Sequence, residues 1–156
     1  MIVVSQGLDA ITTDKQYFFL TKFIQQSFRS ADVENLLMSM TNMEQFFFFH
    51  NSKPVAVVSF NKRGYLHCTG TCYSNTLYNV ATAPYYRKRG YMKKLLKFLI
   101  QQKKKQRLKY LHLEVLKNNT KAVSLYKSLG FKILYECLPT STQKGIYVMR
   151  LCLRES

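Results

Sequence analysis

The spacing of apolar residues in the first part of the chain predicts a short N-terminal strand, two helices and a hairpin. Asp14 is expected to be the N-cap of a helix that runs to about Phe28, and a shorter helix follows over residues 32–40. The aromatic run Phe46 to Phe49 and the β-branched run over residues 55–60 then predict a hairpin closed by a four-residue turn. We expect the aromatic run to be a buried strand, in preference to an exposed partner-binding patch.

The rest of the chain alternates between strand and helix periodicity. An amphipathic helix with a basic face stands out at about residues 89–105. The other predicted elements are a turn at residues 61–64, an extended segment at 65–73, strands at 76–83, 108–115, 131–137 and 146–153, and a helix from Asn118 or Asn119 to a C-cap at Gly130. This order implies neighbouring parallel strands joined by crossover helices.

Composition indicates one globular α/β domain covering residues 1–156. Hydrophobic residues make up 47% of the 156 positions and charged residues 21%. No apolar run approaches the roughly 20 residues of a membrane helix. The N-terminus has no secretory pattern, so we expect a cytoplasmic protein. The four cysteines and three histidines have no zinc-ligand spacing, so no metal is assigned and the cysteines are expected to be reduced.

The charge balance adds an expectation about partners. The chain has 24 Lys and Arg against 8 Asp and Glu, a formal charge of +16. Such a surface attracts polyanions, including RNA and ribosomes, and favours an anionic cofactor. The tract Lys103 to Lys105 is either part of a nucleic-acid surface or a solvated helix end, where cations also suit the helix dipole. A homodimer is compatible with the sequence.

One constellation that carries chemistry lies at residues 80–92, between a strand and the basic helix. A loop that turns into a helix presents unpaired backbone N–H groups at the positive end of the helix dipole, a geometry that binds phosphate. Gly90 would allow close approach of a ligand to the backbone. Arg87, Lys88 and Arg89 add positive charge, although cations that merely face solvent would look the same in sequence.

A second constellation follows at residues 113–131. Asn119, Ala122 and Tyr126 share one helical face, whereas Leu125 and Leu129 are expected in the core. Glu114 is an acid in an apolar strand, on the opposite side from its two neighbours. An acid there is costly unless it is solvated, paired or protonated, and a local lysine would be one partner. Tyr126 is either chemically active or a core aromatic with a hydrated hydroxyl.

Together the two constellations resemble the general N-acetyltransferase (GNAT) superfamily. Its signature is Arg or Gln, two residues, Gly, one residue, then Gly or Ala; Arg87 to Tyr91 match, and Met92 departs at the last position. The resemblance implies a mixed central sheet with helices on both faces and two splayed parallel strands between which acetyl-coenzyme A binds. The cofactor residues that it implies are Val80, Ala81, Thr82, Arg87, Lys88, Arg89, Gly90, Tyr91, Met92, Lys93, Asn119 and Tyr126. We expect Met92 to point into the core, in register with Leu95, Leu96 and Leu99.

The spacing of Glu114, Asn119 and Tyr126 is similar to that in bacterial ribosomal-protein N-terminal acetyltransferases. This resemblance implies that Glu114 is the general base and Tyr126 the proton donor in a direct transfer of the acetyl group to an amine. The acceptor is left open among a protein N-terminus, a lysine and a small amine. The alternative is a catalytically inactive GNAT-like module that binds acyl-coenzyme A or docks on RNA or a ribosome.

Overall fold

A computed structural model describes residues 1–28, 32–66, 70–141 and 144–154 of the chain. The elements in these ranges are β1 (Ile2–Gln6), α1 (Asp14–Phe28), α2 (Val33–Thr41), β2 (Glu44–His50), β3 (Lys53–Leu66), β4 (Thr71–Thr82), α3 (Tyr91–Lys105), β5 (Tyr110–Leu116), α4 (Thr120–Ser128), β6 (Lys132–Cys137) and β7 (Ile146–Cys152). One 3₁₀ turn, Pro84–Tyr86, separates β4 from α3. The mixed α/β class expected from the sequence is confirmed.

The seven strands form one mixed sheet in the order β1-β2-β3-β4-β5-β7-β6. β4 and β5 are parallel, with Thr76 opposite His112, which confirms the predicted parallel pair. The expectation that the last crossover also joins neighbouring strands is wrong, because β7 lies between β5 and β6 and is antiparallel to both. Val148 and Met149 of β7 are fully buried, whereas β6 is exposed along most of its length. The more apolar strand therefore occupies the interior of the sheet and β6 the edge.

The chain forms two compact units. The first unit comprises Met1–Phe60 and Asn79–Leu99, and the second comprises Asn61–Tyr78 and Ile100–Ser156. The core cluster of the first unit is Leu20, Phe23, Ile24, Leu37, Met40, Phe47, Phe49, Val57, Ala81 and Ala83. Phe46 and Phe47 are fully buried, so the aromatic run is a core strand as predicted. That residues 1–156 behave as one domain stays a prediction.

Three local expectations need correction. Thr13, not Asp14, caps α1, because its Oγ1 accepts a hydrogen bond from the backbone N–H of Gln16 at 3.2 Å. The β2–β3 turn has two residues and not four: Asn51 (φ 47°) and Ser52 (φ 61°) are both left-handed, which suits the tight turn whose twist matches antiparallel strands. The turn predicted over residues 61–64 is wrong, since β3 continues through them.

The cysteines are not all reduced. Cys72 and Cys152 are free, as expected, and both are exposed. Cys137 is disulfide-bonded, so the expectation is wrong for this residue. Spacing along the chain did not reveal this because it carries no information on which distant segments meet in the fold. Cys68 and His67 lie outside the described residues.

Neither a membrane span nor a metal cluster is found where the structure can be described. Within the four described ranges, no helix is both long enough and apolar enough to span a membrane. The same ranges contain no group of three or more His, Cys, Asp or Glu side chains arranged to hold a metal ion.

Candidate functional site

The turn from Arg87 to Gly90 leads directly into α3 in the first unit. Gly90 has φ +77° and Lys88 has φ +60°, so the turn uses two left-handed residues. The backbone N–H of Lys94 donates to the carbonyl of Gly90 at 3.0 Å, which is the first hydrogen bond of the helix. By helical geometry the backbone N–H groups of residues 91–93, which come before Lys94, have no hydrogen-bond acceptor within the helix. They point out of the helix end and are available to an anion.

Space and charge at this turn both suit an anion. A Cβ atom added at Gly90 would meet nothing within 4 Å, so the surface above this glycine is open. Arg87, Lys88 and Arg89 are all exposed. The Nε of Arg87 donates to the carbonyl of Thr82 at 3.1 Å, and the guanidinium of Arg89 lies 5.2 Å from the centre of the Tyr86 ring. Two of the three cations are therefore held near the turn by contacts of their own.

Packed rings hold both flanks of the turn. The His50 ring lies 5.7 Å from Tyr86, before the turn, and 5.7 Å from Tyr91, after it. The hydroxyl of Tyr91 is 3.2 Å from Nδ1 of His50, and the Phe48 ring lies 4.7 Å from Tyr91. The role of His50 is not predictable from the sequence, because nothing local in a strand-end histidine indicates contact with a helix forty residues later.

The end of β4 offers backbone groups at one edge. The N–H of Ala83 donates to the carbonyl of Val55 in β3 at 2.8 Å. The N–H and C=O groups of one strand residue point to the same edge, and those of the next residue point to the other edge. The backbone groups of Ala81 therefore face β3, like those of Ala83. The alternation therefore favours Val80 and Thr82 over Ala81 as residues with backbone groups at the other edge.

Met92, the residue that departs from the signature, lies in the first turn of α3. Met92 is half-buried, while Leu95, Leu96 and Leu99 on the same helix are fully buried. Its side chain therefore follows the apolar side of the helix only in part. Lys93, the next residue, is exposed.

In the second unit, Glu114 lies on β5 between Leu113 and Val115, which are 1% and 7% exposed. Glu114 itself is half-buried and lies opposite Val148 of β7. The predicted alternation is thus confirmed. Lys117, the lysine nearest to Glu114 in sequence, is ion-paired with Glu136, and this hydrogen bond raises the pKa of Lys117. Lys117 is therefore engaged by a different acid.

His112 shares the strand face of Glu114 and was not singled out from the sequence. Its Nδ1 donates to the carbonyl of Ser74 at 2.7 Å, and its ring lies 5.0 Å from that of Tyr73. Burial lowers the pKa of His112 from 6.5, in spite of the opposing hydrogen bond to Ser74, and nearby Arg150 lowers it further. The folded protein therefore favours the neutral imidazole.

The α4 residues divide between a cap and a core position. The Asn119 Oδ1 accepts from the N–H of Ala122 at 3.3 Å, so Asn119 is the N-cap, and its amide nitrogen is not part of this cap. Tyr126 is 5% exposed and its ring lies 5.8 Å from that of Phe131. Burial raises the pKa of Tyr126, so the phenol keeps its proton near neutrality. The core positions of α4 are Val123 and Tyr126, whereas Leu125 and Leu129, expected in the core, are half-buried.

The predicted site residues fall into two groups, each contained in one unit. Residues 80–82 and 87–93 belong to the first unit, and Glu114, Asn119 and Tyr126 belong to the second. A surface depression around Gly7 and another between Tyr110 and Lys132 contain none of these residues.

Sequence comparison gives one family and several bacterial relatives. A model of the acetyltransferase (GNAT) family matches residues 11–131. A protein of Haemophilus ducreyi (strain 35000HP / ATCC 700724) named [ribosomal protein bS18]-alanine N-acetyltransferase is 37% identical over 83 residues, which are 50% of this chain and 57% of that protein. The chain thus matches little more than half the length of this relative.

Solved structures share the fold at low sequence identity. The crystal structure of the ribosomal-protein-S18-alanine N-acetyltransferase from Escherichia coli has a TM-score of 0.73 at 22% identity, covering 100% of this chain and 96% of the other. An aminoglycoside 6'-N-acetyltransferase complexed with coenzyme A has a TM-score of 0.74 at 12% identity, covering 99% and 98%. At these identities the likeness concerns the fold alone.

Proposed function

Because the chain belongs to the acetyltransferase (GNAT) family, we propose that it transfers an acetyl group from acetyl-coenzyme A directly to an amine. The observation that carries the proposal is the Arg87–Gly90 turn, where an open glycine, three exposed cations and the free N–H groups of a helix end occur together. A pyrophosphate needs this combination of space, donors and positive charge.

The residues of the first unit would hold the cosubstrate. The N–H groups at the start of α3 and the side chains of Arg87 and Lys88 suit the pyrophosphate, and the backbone of Val80 and Thr82 suits the amide-bearing pantetheine arm. The amide nitrogen of Asn119 is a further donor for that arm. When bound, acetyl-coenzyme A supplies a thioester whose carbonyl carbon accepts the amine.

Glu114 would act as the general base of this transfer and Tyr126 as the proton donor. An ammonium has no free lone pair, so the Glu114 carboxylate takes a proton from the amine, directly or through a water. As the carbon–nitrogen bond forms and the carbon–sulfur bond breaks, the Tyr126 hydroxyl gives its proton to the departing thiolate. Like any phenol, with an ordinary pKa of about 10, Tyr126 carries this proton near neutrality. Glu114 then releases its proton to solvent, and Tyr126 regains one.

Among acceptors we favour a protein N-terminus over a lysine or a small amine. Support comes from the Haemophilus ducreyi relative, whose name specifies an alanine of a ribosomal protein. An α-amino group has an ordinary pKa of about 8, against about 10.4 for lysine, so its proton is easier to remove near neutrality. Peptides that begin with alanine should therefore be acetylated faster than N-blocked peptides that contain lysine.

The test has a binding arm and a transfer arm. Calorimetry with coenzyme A should show one saturable site, weakened by salt because phosphate contacts dominate. Thiol release from acetyl-coenzyme A should then depend on an added amine from a panel of N-terminal peptides, lysine peptides and polyamines. Binding without amine-dependent thiol release would favour the inactive module instead.

We also propose that the basic surface binds polyanions. The exposed cations at the end of α3 and nearby are Lys104, Lys105, Arg107, Lys109 and Arg154. Arg154 donates to the carbonyl of Arg107 at 3.4 Å, which joins the chain end to this cluster. Lys104→Glu with Arg107→Glu should weaken binding of a single-stranded RNA and flatten its salt dependence more than the control Lys15→Glu with Lys22→Glu, which reverses two exposed cations elsewhere. Equal loss in all variants would mean that only net charge matters.

The remaining expectations concern assembly and location. A homodimer stays a prediction, which light scattering at several concentrations would test. Cytoplasmic location is likewise proposed, and alkylation of thiols in freshly lysed cells would show whether Cys137 is oxidised there as it is in the structure.

A further inference from the structure

β4 contains a left-handed residue immediately before the proposed pantetheine segment. Asn79 has φ +51° although it lies inside the strand. A non-glycine residue rarely takes this conformation, and Asn is one of the few that tolerate it. A positive φ rotates the adjoining peptide groups. The conformation at Asn79 therefore affects how the backbone groups of the next residues, Val80 to Thr82, are directed.

A chain of side-chain hydrogen bonds fixes Asn79 from within the first unit. Its Nδ2 donates to Ser59 Oγ at 3.0 Å, and Ser59 Oγ donates to Gln45 Oε1 at 2.6 Å. Gln45 Nε2 donates in turn to the carbonyl of Met40 at 2.8 Å. Gln45 and Ser59 are both 0% exposed. The chain thus runs from the end of α2 through β2 and β3 to the kink in β4.

The register explains why Ser59 meets Asn79. Ala83 pairs with Val55 through its N–H, and Asn79 lies four residues before Ala83 while Ser59 lies four residues after Val55. These equal offsets bring Asn79 and Ser59 to the same level of the two strands, as the hydrogen bond between their side chains shows. Buried polar side chains are costly unless each is hydrogen-bonded, and an apolar residue at position 59 would avoid that cost.

We infer that Gln45, Ser59 and Asn79 are positioning residues, which hold β4 kinked so that Val80 and Thr82 present their backbone groups to the pantetheine arm of the cosubstrate. The inference rests on the proposed function and adds residues that touch neither the phosphate turn nor the reacting atoms. Its consequence is specific, because only the part of coenzyme A beyond the pyrophosphate should depend on the hydrogen-bond chain.

Two ligands separate this role from a general effect on the fold. Coenzyme A reaches both the turn and β4, whereas 3′-phosphoadenosine 5′-diphosphate, its fragment ending at the pyrophosphate, reaches only the turn. Asn79→Gly removes the side-chain anchor while accommodating the positive φ, and Ser59→Ala breaks the chain from the other side. Asn75→Gly is the matched control, since Asn75 is also left-handed in β4, with φ +57°.

Asn79→Gly and Ser59→Ala should each weaken coenzyme A binding by about tenfold, the effect of one misplaced hydrogen bond, while binding of the fragment stays unchanged. The double variant should lose no more than either single variant, because both changes break one chain. The KM for acetyl-coenzyme A should rise more than kcat falls, and Asn75→Gly should match the wild type.

Wild-type coenzyme A affinity in folded Asn79→Gly and Ser59→Ala would overturn the inference. An equal loss for coenzyme A and the fragment would also overturn it, because the chain would then support the whole unit. If the wild-type protein binds neither ligand, the proposed function itself fails, and this inference fails with it.

Discussion

Replacing Gly90 tests the phosphate turn most sharply when Gly90→Glu is compared with Gly90→Ala. Both variants carry a Cβ at φ +77°, which costs about 1–2 kcal/mol of backbone strain. Neither clashes at the Cβ, because nothing lies within 4 Å of it. The two proteins should therefore melt at similar temperatures and differ mainly in the added carboxylate.

The size of the difference follows from Coulomb's law. At about 5 Å from two phosphate charges, a carboxylate is repelled by about 1.7 kcal/mol if the dielectric is that of water. This corresponds to a Kd that is roughly 15-fold higher. An effective dielectric constant of about 20 would raise the repulsion to about 7 kcal/mol. At low salt, Gly90→Glu should therefore bind coenzyme A at least ~15-fold more weakly than Gly90→Ala.

Isothermal calorimetry at two salt concentrations is the assay for this difference. The gap between the variants should narrow at high salt, because ions screen exposed charges. A folded Gly90→Glu protein that binds coenzyme A as tightly as Gly90→Ala would remove the turn from the cofactor site.

Three further outcomes are expected. Tyr126→Phe should lower kcat with little change in coenzyme A affinity; wild-type turnover, with chemistry limiting, would make Tyr126 purely structural. Glu114→Gln should lower activity most near neutral pH and less at high pH, where more amine is already neutral; profiles that stay parallel at every pH would reject Glu114 as the base. Because burial lowers the pKa of His112 below 6.5, the unfolded chain takes up its proton first as the pH falls, so the free energy of unfolding should decrease below about pH 6.5. His112→Phe should flatten that decrease in urea titrations, and an unchanged slope would mean that other groups cause it.

The parts of the fold that sequence predicted are those with local signals. Helical periodicity and two adjacent asparagines located α4 and narrowed its N-cap to Asn118 or Asn119, of which Asn119 is the one observed. The run of four phenylalanines is also a local signal. It indicated a core strand because such apolar residues are usually buried. The turn at Gly90 was found because its glycine and cations are adjacent in sequence.

The parts that were missed depend on contacts between distant residues. The place of β7 between β5 and β6 is decided by which strand buries more apolar surface, and spacing along the chain does not record this. Nothing in the sequence distinguishes Asn79 from other strand asparagines, because its hydrogen-bond chain to Ser59 and Gln45 involves residues far away in the chain. His50 likewise gains meaning only from the tyrosines on either side of the turn.

One measurement tests the central claim of acetyl transfer most directly. The folded protein is incubated with acetyl-coenzyme A and a peptide that begins with alanine, and free thiol and peptide mass are followed together. The account predicts one thiol released for each acetyl group on the peptide, with no acetyl group left on the protein. A protein that binds coenzyme A but leaves every amine of the panel unacetylated would contradict it.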